Sequence, residues 1–510
     1  MEKADLVLHE GQILGHPESD SVALGAGRIA AHGRFADLKT LVGPRTHLIR
    51  LAGRTVAPGF VDSHIHFLEA ASAASGVSIW RARTVADLLV ELRVAAGKTP
   101  PGNWLRAFGC DESLLRERRG PTRRELDEVV ARNPLRLRHQ TLHASWLNSR
   151  AIAALGLEAP GFPTPPGGWL ERDSAGKPTG LVVGMEQWLT SRLPLTTPAE
   201  IEARARHFSR ELAAAGITAF TDATVRNGIE EFRLFARLTA SGAISQRVSL
   251  MLGAGHIDDL DAVQRIATPA SIRMAGLKFM PDGREQSALT RYVGAALKRG
   301  FDCAFHVTEV EELDAALTAV ESSPSRHEAA VCRIEHGGLI PPDYLERIAA
   351  VGAWVVTNPG FVYYRGAKYA AEPGLVPYLY RIRSLAERGI ELAGATDAPV
   401  TPARPLAAIA AAMARTSLEG YDLAPTEGIG VADAFALFTE SAARLARLEA
   451  GRVDPGLLAD LIVLPRDPLG LGPAEILNLP VDLTLIGGQV VYERGRPAVA
   501  NSASAELHST

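Results

Sequence analysis

From residue 200 to residue 396 the chain alternates between helical and extended segments, and this rhythm leaves few folds open. Helical periodicity over Ala199–Ala215 stops at Gly216, and Ile217–Ala223 then reads as a strand. The pattern recurs with helices at Glu230–Ser241, Leu260–Ile266, Thr290–Arg299, Glu311–Glu321, Pro342–Ala350 and Ser384–Arg388. Each is followed by an apolar run: Val248–Ala254, Met274–Met280, Asp302–Val307, Val331–His336, Ala353–Thr357 and Glu391–Thr396. Strands separated by helices form a parallel sheet rather than hairpins. The extended run before His64 adds an eighth strand, and eight repeats imply a closed (β/α)8 TIM-like barrel.

The flanks read differently. Residues 1–57 carry short alternating runs, Ala4–Leu8, Ile13–Leu14, Val22–Leu24, Ile29–Ala31 and His47–Leu51, broken by glycines. Short strands return after Gly451, at Ala459–Leu464 and Val481–Tyr492, before a polar tail. The two ends, 1–57 and 448–510, are expected to share one small β-sandwich beside a barrel spanning 58–447. Within that span, 68–200 is expected to be an inserted, lid-like subdomain. It should hold helices at Thr84–Ala96 and Leu147–Leu155, an extended Arg132–Gln140, and a Pro/Gly loop over Gly161–Gly180. The arginines between Arg116 and Arg124 alternate with Glu117, Glu125, Asp127 and Glu128 and read as a solvated face.

Composition narrows the function. A net charge of −4 lacks the basic surplus of a nucleic-acid binder. The longest apolar run, Leu406–Ala414, is far below a membrane span, and no signal-peptide layout opens the chain. Three scattered cysteines form no CxxC, so a reducing cytoplasm is the expected setting. A small-molecule substrate is the expected partner, and a homo-oligomer is compatible with the sequence.

Chemistry-bearing residues stand at the C-terminal ends of five strands: His64 and His66, Lys278, His306, His336 and Asp397. Barrel active sites are assembled at that rim from different strands. Two imidazoles at i and i+2 on a strand share a face and suit a divalent transition metal such as zinc. Singly, each has a plainer reading, as a hydrogen-bonded histidine, a snorkelling lysine or a turn aspartate. Six at one rim point to a site.

The motifs that carry these residues resemble the amidohydrolase superfamily, and within it the amidohydrolase 3 family that includes N-substituted formamide deformylases. They are the run from Ala57-Pro58-Gly59 to His64-Ile65-His66, Leu277-Lys278-Phe279-Met280-Pro281-Asp282-Gly283, Arg333-Ile334-Glu335-His336 and Ala395-Thr396-Asp397-Ala398-Pro399. Ala459-Asp460-Leu461, Asp111-Glu112-Ser113 and His143-Ala144-Ser145-Trp146 also resemble segments of that family. The resemblance implies that His64, His66 and Asp397 hold one divalent metal, His306 and His336 a second, and a carboxylated Lys278 bridges both. It implies hydrolysis of an amide, formamide or cyclic amide by a metal-bound hydroxide, with Asp397 moving the proton.

The sequence departs from the family after His306. A Gly-Asp pair is common there, whereas this chain runs Val307-Thr308-Glu309. His-x-x-Glu resembles the one-metal deaminases of the superfamily, which act on heterocycles with the Glu as a catalytic proton carrier. Glu309 equally suits the first turn of the helix that follows. Around the rim, Tyr363, Tyr364 and Arg365, with His143 and Trp169 from the insertion, are candidates to contact substrate. A barrel that binds its ligand without catalysis is the remaining alternative.

Overall fold

The computed structural model describes residues 3–496 apart from 81, 142, 160, 195, 282–284 and 324–326. The eight barrel strands are β1 (Phe60–Ile65), β2 (Ile217–Asp222), β3 (Arg247–Gly253), β4 (Ile272–Phe279), β5 (Asp302–Val307), β6 (Cys332–His336), β7 (Trp354–Thr357) and β8 (Leu392–Gly394). They hydrogen-bond in chain order into one parallel sheet. The first and last strands meet through site residues. Thr396 donates from its N–H and Oγ1 to the Asp62 carboxylate at 3.0 and 2.5 Å, and the Asp397 N–H donates to the His64 carbonyl at 2.9 Å. The expected strands agree with those observed to within a few residues. β8 is shorter than expected, ending at Gly394 rather than Thr396, and Asp397 beyond it stands in the left-handed region at φ 58°.

Local signals explain the elements. Helix Pro198–Ala214 begins with Pro at its first position and a Thr197–Glu200 capping box, in which each residue bonds the other's backbone N–H. It is followed by Gly216 at φ 81°. Helix Val85–Lys98 starts on the same device, built from Thr84 and Asp87. The apolar face of Pro198–Ala214 packs into one continuous core with Phe60, Phe220, Leu250, Leu277 and Phe305, whereas Val85, Leu88 and Leu92 of the second helix pack within the inserted segment.

The two chain ends meet in a pair of sheets. Arg28–Gly33, Ser21–Gly25, Leu6–His9 and His47–Arg50 form the first. In the second, Thr55–Pro58 pairs antiparallel with Leu461–Leu464, so the N-terminal and C-terminal segments share one ladder. Leu24, Ile29, Val56, Leu461 and Leu483 pack together between them. Buried Asp460 ties this unit to the barrel, accepting from Arg247 Nε and Nη2 at 2.6 and 3.0 Å and from the Gly487 N–H at 2.7 Å. Gly59 lets the chain pass from sandwich to barrel, since a Cβ there would lie 2.3 Å from Thr218 Cγ2.

The segment after β1 builds a six-stranded sheet of its own, with separate apolar clusters around Leu92–Leu137 and Leu147–Leu189. Two expectations change here. The helix expected over Leu147–Leu155 starts at Ser149, because Ala144–Leu147 is a strand. Buried Asn148 ends that strand and caps the helix, its Oδ1 accepting from Ala151 and Leu135 N–H groups at 3.0 and 2.9 Å. The loop expected over Gly161–Gly180 contains a hairpin, Trp169–Arg172 against Pro178–Val183. The Asp173–Lys177 turn closes it with Gly176 at φ 78°. No helix among the described residues is long and apolar enough to cross a membrane.

Candidate metal centre

Two groups of ligand atoms converge at the C-terminal mouth of the barrel. His64 is the penultimate residue of β1, and His66 opens helix Phe67–Ala74 one residue beyond the strand. Their rings stand 5.2 Å apart and nearly perpendicular, at 83°. Asp397 Oδ1 faces both, 3.6 Å from His64 Nε2 and 3.1 Å from His66 Nε2. The second group joins His306, near the end of β5, to His336, at the end of β6. His306 Nδ1 lies 3.1 Å from His336 Nε2. Ligand atoms around a tetrahedral zinc, with bonds of about 2.0–2.1 Å, stand roughly 3.3 Å apart. The three separations, 3.1 to 3.6 Å, lie close to that spacing.

Lys278 comes from β4 into the same space, 2% exposed, and its Nζ has no hydrogen-bond partner among the described residues. Burial, first of all, pushes its pKa down to about 8. Its charge is among those that depress the three neighbouring histidines, His64, His306 and His336. Burial likewise drives His306 down to about 3 and His64 and His336 well below the usual value, so all three are neutral donors. His66 differs: burial, the largest single influence, opposes its charge, but the carboxylates of Asp397, Asp222 and Glu69 together raise its pKa. A buried Lys278 Nζ with no hydrogen bond among the described residues, three neutral imidazoles, and an Asp397 Oδ1 facing His64 and His66 are donor chemistry that suits a divalent metal.

The sequence did not disclose what orients these rings. Glu335, fully buried, accepts from His64 Nδ1 at 2.5 Å and from Arg333 Nε at 2.7 Å, while Arg333 Nη2 donates to the Ser63 carbonyl at 2.8 Å. That contact leaves His64 Nε2 free to face Asp397. Asn358 Oδ1 lies 2.9 Å from His336 Nδ1, and Thr224 Oγ1 lies 2.8 Å from His66 Nδ1. Glu335 and His336 are adjacent, so a regular strand would point them to opposite faces. A γ-turn centred on His336 (φ 69°, Gly337 N–H to Glu335 C=O at 2.9 Å) brings both to the centre. Asp62, bonded to Thr396 across the barrel seam, is pushed by burial up to about 7.

The remaining candidates are placed less centrally. Glu309 caps helix Val310–Glu321 with its side chain exposed. The charges acting on it are those of Glu312, Glu311, Lys368 and Glu372, not of the histidine cluster. An acid at that position complements the helix dipole. His143 is exposed on the insertion, yet its charge bears on His306, which brings it towards the mouth. Tyr363 and Tyr364 end the short helix Pro359–Tyr364, edge to face at 4.9 Å. Arg365 lies over Phe361, whose ring stacks on His336. Trp169 is 51% exposed and makes no ring contact with the cluster. Asp282 and Gly283, part of the motif that follows Lys278, lie outside the described residues.

Residues 47–492 match the model of the amidohydrolase family. The N-substituted formamide deformylase of Arthrobacter pascens is 30% identical over 93% of this chain and 95% of its own. Among solved structures, an uncharacterized metal-dependent hydrolase from Pyrococcus horikoshii OT3 superposes with a TM-score of 0.72 at 22% identity, covering 92% of this chain and 99% of that one. An atrazine chlorohydrolase from Arthrobacter aurescens TC1, complexed with zinc, shares the fold at a TM-score of 0.57 and 13% identity, over 97% of each chain. This chain therefore belongs to the amidohydrolase family and is a hydrolase of carbon–nitrogen bonds other than peptide bonds.

Proposed function

We propose that the protein hydrolyses an amide, formamide or cyclic amide bond at a two-metal centre. One ion would be held by His64, His66 and Asp397, the other by His306 and His336, with N-carboxylated Lys278 between them. The observation that carries this reading is the Lys278 amine, buried with no hydrogen bond among the described residues beside the neutral His64, His306 and His336. Carboxylation converts it from a stranded cation into an anionic oxygen donor. Divalent ions, zinc being the expected one, supply Lewis acidity and lower the pKa of a water from about 15.7 to about 7.

The chain's own groups do the rest. Asp397 Oδ1, which faces His66 Nε2 and His64 Nε2 at 3.1 and 3.6 Å, would take the proton of the attacking water and deliver it to the leaving nitrogen. Glu335 and Asn358 fix the rings of His64 and His336, so little reorganisation is needed when substrate arrives. Tyr363, Tyr364, Arg365 and His143 remain the candidates to contact substrate, and their chemistry suits an amide with an apolar or aromatic substituent. The similarity to a formamide deformylase makes N-substituted formamides the first substrates to test.

The test pairs metal analysis with product analysis. Protein purified without chelators should carry close to two metals per chain and release formate or another carboxylic acid from its amide. Asp397→Asn should abolish turnover. Metal close to one per chain, with ammonia released from an aminated ring, would replace this reading with the deaminase.

A further inference from the structure

Beside the metal-ligand cluster lies a cavity of about 480 Å³ that the reaction above does not use. It sits between helix Phe67–Ala74, the inserted-sheet strands Leu105–Cys110 and Leu135–His139, and helix Pro198–Ala214. Thr224 connects it to the site, since it lines the cavity and its hydroxyl meets His66 Nδ1 at 2.8 Å. The other ring nitrogen, Nε2, faces Asp397. The cavity is therefore on the side of the His66 ring turned away from Asp397.

Much of the wall is apolar, with Leu68, Ala73, Phe108, Leu193, Ile201 and Leu234. Five arginines and three glutamates share the lining, and the carboxylates are already engaged. Glu186 accepts from Arg136 and lies 3.4 Å from Arg138 Nε. Glu69 pairs with Arg226, and Glu231 accepts from the Gly228 N–H at 2.9 Å. Arg106 and Arg204 are left half-buried and without an ion pair among the described residues. The Arg106 guanidinium makes a long hydrogen bond, 3.4 Å, to the Pro194 carbonyl. Burial, then the charges of Arg204 and Arg138, hold its pKa below the usual guanidinium range. The carboxylate that offsets them, Glu200, is bound to the Thr197 N–H and hydroxyl.

We propose that this cavity is a second ligand site, which takes an organic carboxylate with an apolar body and holds its carboxylate between Arg106 and Arg204. Two like charges in a partly dry space repel, and an anion between them reverses the sign of the interaction. The planar fork of a guanidinium matches a carboxylate. The volume falls in the range of small-molecule sites, roughly 300–1,000 Å³, and the apolar wall has no use for a bare inorganic ion. The proposal stands whichever bond the enzyme cleaves.

Phenylacetate is a suitable probe. Titrated calorimetrically into the metal-loaded protein, it should bind at least about tenfold more weakly to the Arg106→Gln/Arg204→Gln variant than to wild type. An Arg34→Gln/Arg124→Gln control removes the same charge elsewhere and should bind as wild type does. Equal binding by the Arg106/Arg204 variant overturns the proposal. A measurement on the unaltered protein guards against misfolding of the variant. Phenylacetate should protect Arg106 and Arg204 from phenylglyoxal, mapped by mass spectrometry, and leave the exposed Arg124 reactive. Absence of protection, or equal protection by inorganic phosphate at the same concentration, refutes an organic carboxylate site.

Discussion

Glu335→Gln offers a sharp test of how the proposed metal centre is built. Wild-type Glu335 accepts from both His64 Nδ1 and Arg333 Nε, and all three residues are at most 2% exposed. The glutamine can still accept from one neighbour, but it no longer neutralises Arg333. Leaving a buried charge unpaired costs about 3–5 kcal/mol. It also loosens the tautomer and orientation of His64, and loss of such an outer contact weakens metal binding about 10–100-fold. Urea unfolding followed by tryptophan fluorescence reads the first effect, and competition against a chromophoric chelator reads the second. The two separate in the double variant Arg333→Met/Glu335→Leu. With no stranded charge, much of the lost stability should return, although the unmet His64 N–H keeps about 1–3 kcal/mol of the loss. Metal affinity should stay low, because nothing then holds the ring. Wild-type metal affinity in either variant would refute Glu335 as the group that orients His64.

Three further outcomes are expected. Lys278→Ala should lower metal content, and short carboxylates such as acetate or propionate should partly restore both metal and turnover; unchanged metal content removes the bridge. Glu309→Gln should leave turnover within about twofold, since the side chain is exposed at a helix start, and a loss of 100-fold or more would promote the deaminase reading. Glu125 is held down to about 2 by the Arg119 guanidinium, followed by the Thr122 cap. Because its folded pKa is depressed from 4.5, its contribution is present above that value and lost as the pH falls through about 2. Discounted for solvent screening, Glu125→Gln should cost about 1 kcal/mol near neutral pH. Urea midpoints should show that gap to wild type narrowing as the pH falls below about 4.5, and a constant gap would contradict the sign.

The barrel was legible because its signals are local: apolar runs of strand length, helical periodicity and glycine stops such as Gly216 and Gly352. His64, His306, His336 and Asp397 stood out for the same reason, as ligand-type residues closing apolar runs. The Trp169–Val183 hairpin was hidden because its strands are short and lie among prolines and glycines that read as loop. Glu335 was hidden differently. It sits inside a quoted motif, but its partner on His64 is 271 residues away, and only the backbone reversal at His336 lets it face inward. The reversal falls on His336 itself, one residue before the Gly337-Gly338 pair that would ordinarily mark it. Thr224 and Asn358 are equally ordinary in sequence; their roles exist only once β2 and β7 stand beside their neighbours.

The seam between β1 and β8 also bears on how the chain comes to be folded during synthesis. Asp62 leaves the ribosome 334 residues before the Thr396 that bonds it. At about 5–20 residues per second, β1 waits roughly 20–70 s for its neighbour on that side. Thr55–Pro58, paired with Leu461–Leu464, waits longer still. Two strand edges near the start of the chain are thus exposed together for most of translation, with apolar Val56, Phe60 and Val61 among them. The inserted sheet and the successive βα units can assemble while those edges remain open. The last barrel strand to emerge closes the sheet and brings Asp397 beside His64 and His66.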